Sequence, residues 1–239
     1  MFGIYTLYYI LGIVMIPGIA LGIWAQSRVV STFNKFSAFE TRHGKPANEV
    51  ARLMLNGAGL QNVKIAQIRG ELTDNFNPQT NTVSLSDSVY GKSSIAAVGV
   101  AAHEIGHVFQ NKDKYAPMKA RKLMVPILKF SSLLAWPLIL IGLILEMTYY
   151  ATTAEILIYV GIGIYALNTL FCLITLPIEL NASKRAEKML LATAELDEEE
   201  IKGVKKVLNA AALTYVAALV TSVLSLLRLL LFVFALRKD

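Results

Sequence analysis

AAHEIGHVFQ, residues 101–110, holds two of the chain's three histidines, one helical turn apart, with a glutamate directly after the first. On a helix, residues i and i+4 project from one face, so His103 and His107 can converge on one tetrahedral metal ion. Glu104 is rotated about 100° from His103. Its carboxylate therefore stands beside the ion, where a proton acceptor for water-driven peptide hydrolysis belongs. The alternative is a pair of ordinary part-buried histidines. The run SIAAVGVAAHEIGHVFQ predicts a helix with a serine of the Ser93–Ser94 pair as N-cap, closed at Asn111 and Lys112. Its small, apolar composition and modest length suit a buried helix of a small domain better than a membrane span. Gly99 and Gly106 on it would let neighbouring backbone approach closely.

A catalytic zinc needs a third protein ligand and an open position. His43, in TRHGKP, reads as a surface histidine, and Cys172 sits in the middle of an apolar run. Glu179 follows Pro177 at the end of that run, where a carboxylate is costly unless partnered. Zinc would be such a partner, as would Lys184 or Arg185. Ser183, four residues on, could hydrogen-bond a ligand. Tyr215, in NAAALTYVAAL, could donate to a developing oxyanion or simply sit at a membrane interface.

The apolar residues are too many for an ordinary soluble domain: 55% of the 239 residues are hydrophobic and 17% charged, with a mean hydropathy of +0.52. Residues 1–27 carry no charge and lack the basic start and small-residue cleavage site of a secretory signal, so they read as a retained transmembrane helix. Further apolar runs from Leu123 to before Glu146, over 156–178 and from Val207 to Leu236 predict four spans in all. The domain division that follows is span one at 1–27, a catalytic part at 28–122 and a transmembrane hairpin at 123–178. A helical part at 179–206 and a fourth span at 207–239 complete it. Residues 26–122 and 179–206 hold 13 and six of the 23 basic residues, which predicts that both face the cytoplasm. Arg237 and Lys238 fall on the wrong side if the fourth span crosses fully. The net charge of +6 is then a topology signal that also suits anionic lipid headgroups; no nucleic-acid motif is present. One cysteine excludes an intramolecular disulfide and a cysteine zinc cluster.

Within 28–122, PANEVARLMLNGAGL predicts an amphipathic helix from Pro46 to Gly57 or Gly59. VKIAQI and TVSLS alternate like strands around the turn-rich TDNFNPQTN, which predicts a hairpin. The acidic run Glu195–Glu200 predicts a solvated turn and helix start.

HEIGH, LTDNFNPQTNTVSLSDSVYG, LPIELNASKRAEKML and VLNAAALTYVAAL, with the four spans, resemble the YugP family of membrane-bound zinc metallopeptidases, the neutral zinc metallopeptidase 2 group. The resemblance covers nearly the whole chain. It implies a mainly α, integral membrane protein with a small α+β zincin-like cytoplasmic domain, a Zn2+ endopeptidase of the bacterial inner membrane. A more distant similarity links it to HtpX and CAAX-type proteases, whose third ligand is the glutamate of E-x-x-A-D. Glu179 matches that glutamate, while Ser183 replaces the aspartate. The resemblance also implies that TVSLS is an exposed edge to which an extended substrate adds; a covered hairpin strand is the alternative.

The expected activity is peptide-bond hydrolysis at the cytoplasmic membrane surface, on a peptide or membrane-protein substrate, with His103, His107 and Glu179 as metal ligands and Glu104 and Tyr215 as catalytic groups. An intramembrane protease would need a second ligand motif deeper in the bilayer, which the sequence lacks. A non-catalytic zinc-stabilised membrane adaptor would have no use for Glu104.

Overall fold

The computed structural model describes residues 12–146 and 151–236. The start of the first expected span, the centre of the link after residue 146 and the Arg237–Lys238 tail lie outside them. The described chain is mainly helical: α1 (Ile16–Ser37), α2 (Ala47–Gly57), β1 (Lys64–Ile68), β2 (Asn75–Asn77), β3 (Thr82–Ser86), α3 (Ile95–Lys112), α4 (Ala116–Glu146), α5 (Ala151–Thr193) and α6 (Glu198–Leu236).

Two compact units divide it. Of the described residues, one unit holds those up to Trp24, Lys119–Leu176 and those from Tyr215 onward; the other holds Ala25–Met118 and Pro177–Thr214. Helices α5 and α6 are long and apolar enough to cross a membrane. The two segments of α4, Ala116–Lys129 and Leu133–Leu145, add a third candidate if they form one bent span. Pro126 and Pro137 lie inside α4, where each removes a helical hydrogen bond. At 43 residues α5 is about 65 Å long at 1.5 Å per residue, roughly twice the hydrocarbon thickness of a bilayer.

In the first unit the long helices meet through small residues in a repeated arrangement. A Cβ on Gly142 would lie 2.6 Å from the Ile158 side chain and 3.0 Å from the Ala154 carbonyl. A Cβ on Gly161 would lie 2.4 Å from the Ile139 side chain and 3.0 Å from the Ala135 carbonyl. Both helices thus present Ala, Ile and Gly at the same spacing, 135–139–142 and 154–158–161, each glycine receiving the other helix's isoleucine. This is how backbones approach where a hydrophobic driving force is weak. Gly18 of α1 likewise receives α6, and Thr221 Oγ1 donates to its carbonyl at 3.2 Å.

The second unit has a conventional core. Helix α3 is buried on nearly all sides, which a helix this rich in alanine and valine can sustain. Ser94 caps it, its hydroxyl accepting from Ala97 N at 3.2 Å. Val50, Met54 and Leu55 of α2 and Leu190 of α5 share one cluster with Val98, Ala101 and Ile105 of α3 and with Val204 and Leu208 of α6. Helix α2 ends in a Schellman turn: Gly59 has φ +72, and Leu60 N donates to Leu55 O at 2.9 Å. Asp197 and Glu200 form a reciprocal capping box at the start of α6, as the acidic run implied. Glu200 Oε1 also accepts from Arg42 N.

The sheet departs from the expected hairpin. Strands β1 and β3 pair in parallel, Lys64 opposite Thr82, and NFN, read as part of a turn, is β2, antiparallel to β3. The order is β1-β3-β2, so TVSLS is the central strand and not an exposed edge. The true hairpin turn lies between β2 and β3. Asn77 Oδ1 accepts from Gln79 N at 2.9 Å, and Asn81 takes the left-handed φ of 52 that asparagine tolerates. Phe76 supplies the reason that NFN is a strand, since it packs against the core. Asp74 then blocks the end of β3, accepting from Ser86 N at 2.7 Å and Ser86 Oγ at 2.9 Å.

Gly161→Leu is expected to lower the thermal unfolding midpoint of the detergent-solubilised protein, at an overpacking cost of about 1–3 kcal/mol. Gly163, which has nothing within 4 Å of a built Cβ, is the matched control. Equal midpoints for the two leucine variants would disprove the close contact.

Candidate metal centre

The helix spacing does what the sequence implies: His103 and His107 project from one face of α3, ring centroids 4.8 Å apart and nearly perpendicular. Glu179 reaches them from α5. Its Oε2 lies 3.2 Å from His103 Nε2 and 3.3 Å from His107 Nε2. Among the described residues these three form the one His/Cys/Asp/Glu cluster able to hold a metal ion, with ligand atoms all within 4.8 Å of one another. His43 is exposed and takes no part. Cys172 lies half-buried on α5, within the first unit.

Gly106 sets the approach of α5. A Cβ there would stand 2.4 Å from the Ala182 carbonyl oxygen and 3.0 Å from its carbon. These are backbone atoms, so no side-chain rotation could relieve the clash. The helices touch one turn from Glu179, which brings its carboxylate within reach of both imidazoles. Gly99 is less constrained, meeting the Val204 side chain at 3.1 Å.

The outward nitrogens of both rings are engaged. His103 Nδ1 is 3.2 Å from Ser183 Oγ, the contact expected of a residue four positions after Glu179. His107 Nδ1 is 3.0 Å from Gln110 Oε1. The sequence reading missed Gln110; its spacing of three from His107 was the available signal. It also kept Lys184 or Arg185 as an alternative partner for Glu179, and Lys184 is exposed. Arg185 instead donates Nε to Asn181 Oδ1 at 2.8 Å and pairs with Asp113.

Glu104 is buried at 7% exposure and has no hydrogen-bond partner among the described residues. Burial pushes its pKa above the usual carboxylate range, opposed by the charges of His107 and His103, while Asp74 and Glu179 push further upward. Such a carboxylate is poised to take a proton. His107 is held the other way. Burial disfavours its imidazolium, but the Glu179 hydrogen bond and the neighbouring carboxylates outweigh burial and raise its pKa. Tyr215 is half-buried on α6, at the point where the division between the units falls.

Residues 11–234 match the family described as "Putative neutral zinc metallopeptidase". The chain belongs to that family. The Bacillus subtilis (strain 168) protein named "Putative membrane protease YugP" is 40% identical over 213 residues, covering 89% of this chain and 92% of the relative. No solved structure matches the chain.

The donor set fits the ion for which the family is named. Two imidazole nitrogens and a carboxylate oxygen are common zinc ligands, and donors about 2.0–2.1 Å from a tetrahedral zinc lie about 3.3 Å from each other. The two nitrogen-to-carboxylate distances given above agree with that spacing.

Gly106→Ala is expected to force α3 and α5 apart and to lose zinc, while Gly99→Ala, meeting only a side chain, keeps it. Mass-spectrometric zinc content of the two purified proteins checks this. Full zinc occupancy in Gly106→Ala would refute the close approach as the element that assembles the triad.

Proposed function

We propose that the protein is a zinc-dependent endopeptidase with a gluzincin-like centre in a zincin-like domain, hydrolysing exposed peptide segments at the cytoplasmic surface of the bacterial inner membrane. The observation that carries this is the buried, unpartnered Glu104 beside a cluster of two histidines and a glutamate. Bound by His103, His107 and Glu179, zinc supplies Lewis acidity toward a carbonyl and lowers the pKa of a water. Glu104 takes the proton of the attacking water and passes it to the leaving amine. Tyr215 is our candidate donor to the developing oxyanion.

An extended substrate adds to β2 in this reading. β2 is the edge strand that packs against α3, and Asp74 at its start is near enough for its charge to act on Glu104. β3, between its two neighbours, has no free length to offer over the residues paired on both sides. The substrate is a peptide or membrane protein, with lipid around the long helices and no nucleic acid involved. A zinc-stabilised adaptor is the weaker reading, because binding alone gives no reason to bury an unpaired carboxylate.

Glu104→Gln is expected to keep its zinc and lose about 10²- to 10⁴-fold in kcat/KM on an unfolded protein substrate. Glu179→Ala is expected to lose zinc. Cleavage by Glu104→Gln at the wild-type rate would end the proposed mechanism. Tyr215→Phe is expected to cut kcat about 10²- to 10³-fold with zinc retained, and an unchanged kcat would remove Tyr215 from the site.

For the topology, a cysteine at the exposed Lys202 in a Cys172→Ser background is expected to resist a membrane-impermeant thiol reagent in intact cells and to react in inverted vesicles. Labelling in intact cells would reverse the orientation.

A further inference from the structure

The two histidines are held by different chemistry. Ser183, behind His103, carries a hydroxyl that can donate or accept, so it leaves the ring's tautomer open. Gln110, behind His107, leaves no such choice. It is completely buried, and its Nε2 lies 2.7 Å from the Ile178 carbonyl and 3.0 Å from Asn181 Oδ1. A backbone carbonyl can only accept, so the NH2 end of the amide must face Ile178. Both N–H groups are then used, and Oε1 must face His107 Nδ1. That oxygen has lone pairs and no hydrogen, so Nδ1 of His107 must carry one. The neutral ring then offers its lone pair at Nε2, on the side of Glu179.

Gln110 is itself held from outside. Asn181 Oδ1 accepts from both Gln110 Nε2 and Arg185 Nε. Arg185 pairs in turn with Asp113, the residue that caps the C-terminus of α3. A continuous path thus leaves α3 at Asp113, crosses to Arg185 and Asn181 on α5, and returns to α3 at Gln110 and His107. Each member has a donor or acceptor role fixed by its neighbour.

We propose that Gln110 is a positioning residue that locks His107 in the Nδ1–H tautomer, and that Asn181, braced by Arg185 and Asp113, locks Gln110. This rests on the reading of His103, His107 and Glu179 as a zinc site. Ser183 is not equivalent: it steadies the His103 ring without dictating its tautomer.

The test is zinc affinity, measured by chelator competition on the full chain in detergent, beside thermal unfolding of each protein without zinc. Gln110→Met keeps the side-chain volume and removes the amide. Its zinc affinity is expected to fall about 10- to 100-fold and that of Ser183→Ala by less. Asn181→Asp, which keeps the acceptor, should stay near wild type, and Asn181→Leu should follow Gln110→Met. A second readout is independent of activity. With only three histidines, ¹⁵N-histidine spectra of the zinc-loaded protein can be assigned residue by residue. The wild type should show one protonated nitrogen on His107, at Nδ1, a signature weakened or mixed in Gln110→Met.

Wild-type affinity and an unchanged His107 spectrum in Gln110→Met would overturn the proposal. So would equal affinities for the two Asn181 variants, and that comparison decides the matter if Gln110→Met does not fold. Failure of the wild type to bind zinc at all would instead remove the zinc reading on which the proposal stands.

Discussion

The contact on which the site depends is backbone against backbone, Gly106 of α3 against Ala182 of α5. Two helices that carry ordinary side chains pack with their axes about 8–10 Å apart. Removing one Cβ at the crossing lets the α5 carbonyl occupy the space, and Glu179 then lies within 3.3 Å of both rings. The glycine of HEIGH is therefore part of the site's construction although it offers no chemistry of its own.

Burying this much charge requires an arrangement in which each group compensates another. Glu179, at 2% exposure, faces two imidazoles. His107 faces two carboxylates and an amide acceptor. Glu104 is the exception, a buried carboxylate whose nearest compensation is the charge of the histidines and not a hydrogen bond. A folded protein spends stability on such a group, and in the proposed mechanism the return is a base whose proton affinity is raised without a partner to be displaced first. Asp74, held by Ser86, adds a negative charge that pushes in the same direction.

How much of this the sequence revealed follows from how local each signal is. His103, Glu104 and His107 are related by one helical turn, so their shared face can be read directly from the spacing. Glu179 was legible for another reason: a carboxylate at the end of an apolar run needs a partner, whatever the fold. The sheet was not legible. VKIAQI and TVSLS carry the right alternation, but alternation says nothing about which strands pair or in what direction, and a hairpin is only the shortest guess. The decisive residue was Phe76, one apolar side chain in a polar turn sequence, whose packing against the core makes NFN a strand and moves TVSLS to the centre. Gln110 stood within reach of His107 by its spacing, but its role was hidden for a similar reason, since it depends on Ile178 and Asn181, which lie far away in sequence.

The same locality explains the helices. Apolar runs mark where a helix can lie in lipid, but they do not mark where it stops. Helix α5 continues without a break through Pro177 to Thr193, and α6 starts at Glu198, before its apolar run begins. Helical hydrogen bonding is indifferent to whether the next side chain is leucine or lysine, so an apolar run and the polar stretch beyond it can share one helix. For α5 this has a consequence at the site. Ile178, Glu179, Asn181 and Ser183 hold their relative positions because they lie on one uninterrupted stretch of helix. The Ile178 carbonyl that orients Gln110 and the Glu179 carboxylate that meets the histidines therefore move together. A shift of α5 along its axis large enough to withdraw Glu179 would also take the acceptor from Gln110, so the carboxylate that faces the two histidines and the brace on His107 are coupled through the geometry of a single turn.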